Sequence, residues 1–427
     1  MDPMLQPTPP TNERLRILWV RLGSCLPLNY GGAIYSYHLL THLMPHSHVH
    51  VLELHSQEDE RQSAAVPYAH AVERVYCRLM PAWSPRRFFQ FIGPILLNLF
   101  ASRESFALSM FHSREFTQRV RERVMSGQFD LVIVDGLILA TALEGWEKER
   151  RVPAVLLQHN VEANIWSGMA KLQRNPFTLL FYHEMTRRMR RREPELCRLF
   201  DGVTAISDPD ADYHRETYHL TNVLGSVLPG TNPSQDTLPP AVLQQEAAPC
   251  IAFVGAMNWP PNADAAIWFI HEVLPLIRQT LPAVRFRVIG RDPPPAFYTL
   301  AASDPGIEIT GTVPEVMLPL RECALQVVPL RAGSGVRHKI LESMTAGVPV
   351  VSTTIGAEGL FLRDGHEILL ADDAPALSAA ILRLLQDSTL RKTIAENARA
   401  RMAQEFSWDQ SVAKLLRLCA PLLSKNG

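Results

Sequence analysis

The chain has 427 residues, of which 47% are hydrophobic and 20% are charged, and its formal net charge at pH 7 is −1. This composition is typical of a soluble globular protein, and the length favours two domains over one. A net charge near zero provides no overall field for nucleic acid or for an anionic membrane. The six cysteines have no paired spacing, which indicates free thiols in a reducing compartment, and no zinc-ligand spacing is present.

The N-terminus and the apolar runs predict neither a signal peptide nor a membrane span. Residues 1–12 are rich in proline and threonine and are predicted to be a disordered tail. The longest apolar stretch, at 88–110, is interrupted by Gly93-Pro94 and by charged residues, so we do not expect it to cross a bilayer. We therefore expect a cytoplasmic protein, and peripheral contact with the inner face of the membrane stays open.

The first half of the chain alternates predicted strands and helices. An apolar strand at 15–20 leads into a loop containing Gly23, Gly31 and Gly32, and a helix begins near Ala33. This glycine spacing departs from GxGxxG, which disfavours a nicotinamide dinucleotide site. The remaining predicted elements are strands at 48–54, 129–134, 152–158 and 202–207, and helical segments at 81–126 and 176–199.

His159 and Asn160 directly follow the predicted strand at 152–158. Ligands collect at the carboxyl ends of strands in open parallel sheets. His159 is therefore either a site residue or a histidine that caps the loop backbone. The basic and aromatic residues at 86–92 have two interpretations as well, as a packed outer helix or as the lip of an acceptor channel or membrane dock.

The second half repeats the alternation after a predicted linker. Turn residues at 228–233 and a polar, alanine-rich stretch up to 249 mark that linker. Strands are predicted at 251–255, 284–290, 307–310, 324–330, 348–352 and 367–370, and helices at 263–280, 316–321, 336–346, 374–387 and 388–406, before a terminal segment at 407–423. The sequence thus predicts an α/β fold with two Rossmann-like domains that face a central cleft.

The segment from 327 to 352 is predicted as strand, glycine turn, helix, glycine stop and strand. Gly333 and Gly335 flank Ser334 in the turn and allow the backbone to approach a ligand, and Gly347 suits a left-handed helix cap. Unpaired backbone N–H groups and the positive end of a helix dipole form a natural seat for phosphate.

Cationic and acidic side chains accompany this turn. Arg331, Arg337 and Lys339 lie around it, and Glu342 follows one turn after Lys339 on the predicted helix. A carboxylate in that position can accept hydrogen bonds from vicinal hydroxyls. Phosphate donors and a hydroxyl acceptor on one strand–helix unit indicate a site for a sugar-nucleotide diphosphate.

From these residues the second half resembles the retaining GT-B glycosyltransferases of family four, and most of all bacterial exopolysaccharide sugar transferases. The matching segments are FVGAMNWPPN at 253–262, VIGRDPP at 288–294, GTVPEV at 311–316, KILESMTAGVPVVSTTIGAEGL at 339–360 and FSW at 406–408. The first half matches mainly in its glycine loop, in His159-Asn160 and at 203–208.

The resemblance implies a hexosyl-type glycosyltransferase (EC 2.4) that moves a sugar from a nucleoside-diphosphate sugar to a hydroxyl, with retention, in exopolysaccharide or glycolipid biosynthesis. Its partners would be the nucleotide sugar and a carbohydrate or lipid-linked acceptor, without nucleic acid, metal or cofactor. The implied domains are an acceptor-binding domain at 13–230, a linker at 231–249 and a nucleotide-sugar domain at 250–405. A helical segment follows at 406–427, and its return to the first domain is left open.

The same resemblance assigns the site residues. Glu342 corresponds to the second glutamate of the E-x7-E motif and would hold the donor ribose, whereas Ser334 stands in place of the first glutamate. The arginine and lysine that many relatives carry after the strand at 251–255 are absent, so Lys339 is our first choice for the diphosphate. The implied donor-binding residues are Gly255, Arg291, Val313, Arg331, Gly333, Ser334, Gly335, Lys339 and Glu342. The implied catalytic residues are His159, Lys339 and Arg337, and the implied acceptor-binding residues are Gly31, Gly32 and Asn160.

Two other functions stay open. A sugar-nucleotide epimerase of the same fold would need paired carboxylates in the cleft, and the sequence does not identify such a pair. A non-catalytic subunit that binds a nucleotide sugar is compatible with Ser334 in place of the motif glutamate. Transfer or donor hydrolysis by the purified protein separates the enzyme from the subunit.

Overall fold

The computed structural model describes residues 14–28, 30–56, 66–77, 98, 104–173, 175–231, 248–333 and 335–424. They form two parallel sheets, each with helices packed against it, which confirms the predicted α/β fold with two Rossmann-like domains. Alternate residues of the first strand enter different cores, because successive side chains of a strand point to opposite faces. Ile17 and Trp19 belong to one core, and Leu18 and Val20 to the other.

The first sheet has seven strands in the order β3-β2-β1-β4-β5-β6-β7. Their bounds are Leu15–Leu22 (β1), Ser47–Ser56 (β2), Ala71–Cys77 (β3), Leu131–Asp135 (β4), Ala154–Leu157 (β5), Gly202–Ala205 (β6) and Val223–Ser226 (β7). The two edge strands β3 and β7 were not predicted. β3 carries the charged residues Glu73 and Arg74, and β7 contains Gly225, so neither has the apolar run of an inner strand.

The second sheet has six strands in the order β10-β9-β8-β11-β12-β13. Their bounds are Cys250–Val254 (β8), Arg285–Ile289 (β9), Ile307–Gly311 (β10), Leu325–Val328 (β11), Val350–Ser352 (β12) and Leu369–Leu370 (β13). Both sheets therefore reverse their strand order once, between β1 and β4 and between β8 and β11. Such switch points leave a crevice at the carboxyl ends of the strands where ligands bind.

The helices fill the connections between the strands. Those of the first half are Gly31–Leu43 (α1), Phe106–Met110 (α2), Arg114–Met125 (α3), Glu162–Lys171 (α4), Pro176–Cys197 (α5) and Asp208–Glu216 (α6). Those of the second half are Pro260–Trp268 (α7), Leu274–Thr280 (α8), Pro295–Ser303 (α9), Met317–Arg321 (α10), His338–Thr345 (α11), Ala374–Gln386 (α12), Ser388–Glu405 (α13) and Trp408–Leu423 (α14). A 3₁₀ helix spans Leu137–Leu143, and a π-helical turn, Phe269–Val273, joins α7 to α8.

One predicted helical segment is divided. The described part of the stretch at 81–126 contains α2 and α3 as separate helices, because Ser113 starts α3 by accepting a hydrogen bond from the backbone N–H of Phe116 (3.2 Å). The basic and aromatic residues at 86–92 lie outside the described residues. Within the described ranges, no helix has both the length and the apolar character needed to cross a membrane.

The chain crosses between the two sheets twice at one place. Thr231 and Ser407 form a parallel bridge, and the N–H of Thr231 donates to the carbonyl of Phe406 (2.9 Å). The last helix, α14, then lies on the first sheet's side, where Trp408 stacks on His38 of α1 with ring centroids 4.9 Å apart. Lys414 of the same helix donates to the hydroxyl of Ser226 in β7 (3.0 Å).

Candidate functional site

Three chain segments meet closely at the switch point of the second sheet. Gly255 follows β8, and a Cβ atom there would lie 2.8 Å from Nδ2 of Asn262 and 2.9 Å from Nζ of Lys339. Gly290 follows β9 with a φ of +148°, and a Cβ atom there would overlap the carbonyl of Gly255. Side chains are therefore excluded from both positions, and the backbone itself forms this wall of the crevice.

Lys339 lies in the first turn of α11 and is half-buried. Its Nζ donates to Oδ1 of Asn262 (2.8 Å) and lies 4.6 Å from the ring centroid of Phe253. Burial and the neighbouring Arg337 lower the pKa of Lys339 to about 7, although Glu342 acts in the opposite direction. A bound anion would therefore raise this pKa and favour the ammonium form of Lys339.

Asn262 is a site residue that sequence reasoning missed. It is buried, and its Nδ2 donates to the carbonyl of Ala256 (3.0 Å), which leaves Oδ1 to face Lys339. The available signal was its place in the NWPPN loop after β8, which carries the family resemblance. The loop bends back over its own strand, so the amide reaches a lysine that is 77 positions away.

The glycine turn rests on Arg337. Gly333 and Gly335 have φ values of +128° and +82°. Nη1 of Arg337 donates to the carbonyl of Gly335 (2.8 Å), and a Cβ atom at Gly333 would lie 2.6 Å from Nη2. Burial lowers the pKa of Arg337, whereas the carboxyl groups of Glu358 and Asp210 act to raise it. The arginine therefore supports the turn, and Ser334 lies outside the described residues.

The other predicted donor-binding residues lie around this crevice, and most of them have partners of their own. Arg331 forms a bidentate pair with Asp264 of α7, with Nε 3.0 Å from Oδ2. Arg291 is half-buried after β9, and its carbonyl accepts a hydrogen bond from the N–H of Met257 (2.9 Å). Val313 packs, partly buried, against the core beside β8 and β9. Glu342 is half-buried and interacts electrostatically with Lys339.

The facing edge of the first sheet presents His159, which follows β5. Its Nε2 is hydrogen-bonded to Oδ1 of Asp135, the last residue of β4. Burial would raise the pKa of Asp135, but His159 and Arg21 outweigh burial and hold this pKa at about 2. A Cβ atom at Gly32 would lie 3.2 Å from Nδ1 of His159, so α1 begins directly against the imidazole ring.

The two edges are in contact. A Cβ atom at Gly335 would lie 2.5 Å from Oδ1 of Asn160 and 3.2 Å from the carbonyl of His159. A Cβ atom at Gly31 would lie 3.4 Å from Cδ2 of His338, the first residue of α11. The structure therefore brings His159, Asn160 and Gly31 against the start of α11 and the glycine turn, and Gly32 lies behind them against the ring of His159.

Comparisons with known proteins agree with this geometry. The family described as "Glycosyl transferases group 1" matches residues 248–387, which include the whole crevice of the second sheet. An uncharacterized 44.6 kDa protein in the cps region of Klebsiella pneumoniae is 22% identical over 290 residues, which are 66% of this chain and 71% of that protein.

Two solved structures share the arrangement of both sheets. Sucrose-phosphate synthase from Thermosynechococcus elongatus superposes with a TM-score of 0.69 at 17% identity, over 96% of this chain and 100% of that one. Anabaena Alr3699/HepE in complex with UDP and glucose superposes with a TM-score of 0.64 at 15% identity, over the same shares of the two chains. The chain therefore has the fold of GT-B glycosyltransferase structures, and its residues 248–387 match the glycosyltransferase group 1 family.

The sequence indicated the crevice better than it indicated the task of each side chain. Lys339 lies at the switch point, beside β8 and β11. Arg331 and Arg337 were grouped with it, but Arg331 is paired with Asp264 and Arg337 lies under the glycine turn. Asp264 is 67 positions away from Arg331, and local spacing does not reveal such a partner.

Proposed function

We propose that the protein transfers a sugar from a nucleoside-diphosphate sugar to a hydroxyl, with retention of the anomeric configuration, as family-four glycosyltransferases do. The observation that carries this proposal is Lys339, held by Asn262 at the switch point of the second sheet (2.8 Å) and one helical turn before Glu342. The diphosphate would lie at Lys339 and the start of α11, and the ribose at Glu342.

The chemistry follows from the charges that develop. As the bond between the anomeric carbon and the diphosphate breaks, negative charge grows on the diphosphate, and Lys339 with the backbone N–H groups of the glycine turn would stabilise it. The acceptor hydroxyl would attack from the same face, and its proton would pass to the departing diphosphate. No protein base is then required, and holding both substrates between the two sheets supplies much of the remaining rate enhancement.

The first sheet's half would hold the acceptor. Asn160 contacts the glycine turn at Gly335, Gly31 faces His338 of α11, and Gly32 faces His159. We propose a carbohydrate or lipid-linked acceptor in exopolysaccharide or glycolipid biosynthesis, with peripheral contact to the membrane. The location of the Klebsiella relative in a cps region and the UDP and glucose bound to Anabaena HepE support this assignment. The donor is a substrate, and no metal or cofactor is assigned to the site.

The test begins with thermal shifts in the presence of UDP-, GDP- and ADP-sugars. A nucleotide sugar that binds the folded protein raises its melting temperature, so no shift with any of the three would contradict the proposal. Transfer and donor hydrolysis are then measured for wild type, Lys339→Ala and Glu342→Ala, with Lys392→Ala, an exposed lysine of α13, as the control. The anomeric configuration of the product, read by NMR, tests retention.

The same measurements separate the alternatives. Binding with neither transfer nor hydrolysis on any acceptor indicates a binding subunit. Conversion of the donor into its sugar epimer without an acceptor indicates an epimerase.

A further inference from the structure

Asp135 links His159 to the side chains of Trp19 and Arg21 in one network. Asp135 is buried at the switch point of the first sheet, with Oδ1 bonded to Nε2 of His159 and Oδ2 accepting a hydrogen bond from Nε1 of Trp19 (2.9 Å). Nε of the buried Arg21 lies 3.6 Å from Oδ2. None of Asp135, Trp19 and Arg21 was among the predicted site residues, and the mechanism above uses none of them.

This network determines which imidazole nitrogen carries the proton. An ionised carboxylate only accepts hydrogen bonds, so Nε2 of His159 has to be the N–H that donates to Asp135. Arg21, whose Nε lies 3.6 Å from the other oxygen, supplies a positive charge beside the carboxylate that does not come from the imidazole. In a neutral imidazole with a proton on Nε2, Nδ1 is a hydrogen-bond acceptor.

Nδ1 of His159 faces the start of α1, next to the contact between Gly31 and His338 of the second half. It lies beside the first turn of α1, at the position of Gly32, and His159 retains 19% of its side-chain exposure. Within the described part of the chain no hydrogen bond to Nδ1 is formed. Tyr35, one turn further along α1, contacts the ring edge-on with centroids 5.3 Å apart, so α1 also restricts the position of the ring.

We propose that Asp135 is a positioning residue that holds His159 in the Nε2–H tautomer, so that Nδ1 accepts a hydrogen bond from a sugar hydroxyl in the cleft. The inference rests on the proposed function, because the hydroxyl belongs to the donor sugar or to the acceptor sugar. It excludes His159 as a hydrogen-bond donor to the diphosphate. A site that accepts from a hydroxyl also rejects a deoxy analogue, because the bound analogue would cover Nδ1 without giving it a hydrogen-bond donor.

Asp135→Asn reverses the tautomer while changing few atoms. Trp19 donates to one atom of the new amide, which has to be the oxygen, so the amide nitrogen faces His159 and donates to Nε2. The proton of the imidazole then moves to Nδ1, and the acceptor in the cleft becomes a donor. A wrong tautomer in a comparable aspartate–histidine pair costs about 10⁴-fold in rate.

The first readout is the tautomer itself. Proton–nitrogen correlation spectra of the full chain labelled with 15N-histidine distinguish Nε2–H, Nδ1–H and the imidazolium ion near neutral pH. Because the chain contains 15 histidines, the His159 signal is assigned by difference from His159→Gln. We expect Nε2–H in wild type and Nδ1–H in Asp135→Asn. Nδ1–H or an imidazolium ion in wild type would overturn the proposal, and this measurement needs no active substrate.

The second readout is activity, with Trp19→Phe as the matched control. We expect transfer by Asp135→Asn to fall by at least about 100-fold, with nucleoside-diphosphate binding unchanged because the diphosphate lies on the second sheet. Trp19→Phe removes the bond to the other carboxylate oxygen and keeps the bond to His159, so its transfer rate should stay within about fivefold of wild type. Melting temperatures of both variants monitor the fold.

The outcomes are distinct. Equal losses in Asp135→Asn and Trp19→Phe, with an unchanged His159 tautomer, would show a purely structural role and overturn the proposal. A loss in donor hydrolysis as well as transfer places the hydroxyl on the donor sugar, whereas a loss in transfer alone places it on the acceptor. If wild type binds no nucleotide sugar, the proposed function fails, and the spectra still decide the tautomer.

Discussion

The two sheets reverse their strand order in the same way, yet different residues line the crevices at their switch points. Between β8 and β11, glycines at 255, 290, 333 and 335 leave backbone groups facing the crevice, and Nζ of Lys339 donates to Asn262. Between β1 and β4, Asp135 accepts a hydrogen bond from Trp19, pairs with Arg21 at 3.6 Å and bonds to His159. The first crevice thus presents a cation and backbone groups, whereas in the second the charged side chains are paired with one another.

The two glutamates Glu53 and Glu342 extend the contrast. Glu53 on β2 is fully buried and accepts from Nε2 of His55 (2.8 Å), the hydroxyl of Tyr68 (2.6 Å) and Nε of Arg74 (3.0 Å). A dinucleotide enzyme holds a ribose near this place, but here the carboxylate serves the protein's own donors. Both halves therefore have a switch-point crevice, and in the first half Glu53 is already bonded to His55, Tyr68 and Arg74.

The largest effect expected from this comparison is on Lys339. Lys339→Ala removes the cation at the second switch point, and the transfer rate should fall by about 10²- to 10³-fold, as when a charge-stabilising donor is lost. Steady-state transfer with the donor found by thermal shift measures it. Lys392→Ala, an exposed lysine on α13, should match wild type. A Lys339→Ala enzyme with more than a third of wild-type activity would contradict the assignment of the crevice.

The next effect concerns the amide that holds the lysine. Asn262→Ala removes a hydrogen bond to a charged group, and kcat/KM for the donor should fall by about 10- to 100-fold. Asn258→Ala is the matched control in the same loop, because Asn258 is exposed and bonds to Asp292 (3.0 Å) instead. Equal losses in the two variants would mean that the loop, and not the amide at 262, matters.

A smaller effect is the pH dependence of donor affinity. The pKa of Lys339 is lowered to about 7 in the free protein, mainly by burial, and a bound diphosphate favours the charged form. Affinity for the nucleotide sugar should therefore be full below this pKa and fall as pH rises above it, by at most about tenfold per pH unit. Calorimetric titration across this range measures it.

Lys339→Arg supplies the control for that experiment, since arginine stays charged over the whole range. The variant should lose the pH dependence whether or not its affinity matches that of wild type. A dependence that persists in Lys339→Arg would assign the titration to another group.

The smallest effect on donor binding is expected at Glu53, whose carboxylate is already hydrogen-bonded within the first half of the protein. Glu53→Gln disturbs a buried network and should lower the free energy of unfolding by about 1–3 kcal/mol, while donor affinity stays within about twofold. Urea denaturation and donor titration measure the two quantities. Glu342→Gln should weaken donor binding, because Glu342 is the proposed ligand of the ribose. If Glu53→Gln weakened donor binding as much as Glu342→Gln, the contrast between the halves would be wrong.

The sequence predicted elements well where the signal was local. The glycine turn, the inner strands and the long helices have apolar periodicity or punctuation that a short window contains. Helix α4 was not predicted because its start is stabilised from far along the chain. Glu193 of α5 accepts hydrogen bonds from the N–H groups of Glu162 (3.0 Å) and Ala163 (3.1 Å), and no such cap is visible beside residue 162.

The same difference between local and distant signals explains which site residues could be predicted from the sequence. Lys339 and Glu342 lie on one short helix, so their spacing could be read directly. The role of Asp135 depends on β4 lying between β1 and β5, which places Trp19 on one side of its carboxylate and His159 on the other. Strand order is not contained in any local pattern, so Asp135 appeared in the sequence only as the end of a strand.

The paired crossing at Thr231 and Ser407 also sets an order of events during synthesis. Helix α14 is synthesised after the whole second sheet, yet it packs against α1, which precedes that sheet. The first half must therefore wait, with His38 and its neighbours uncovered, until the whole second half has been made. We expect a chain that ends before residue 406 to expose this aromatic surface and to depend on chaperones, even though it contains every residue of the donor crevice.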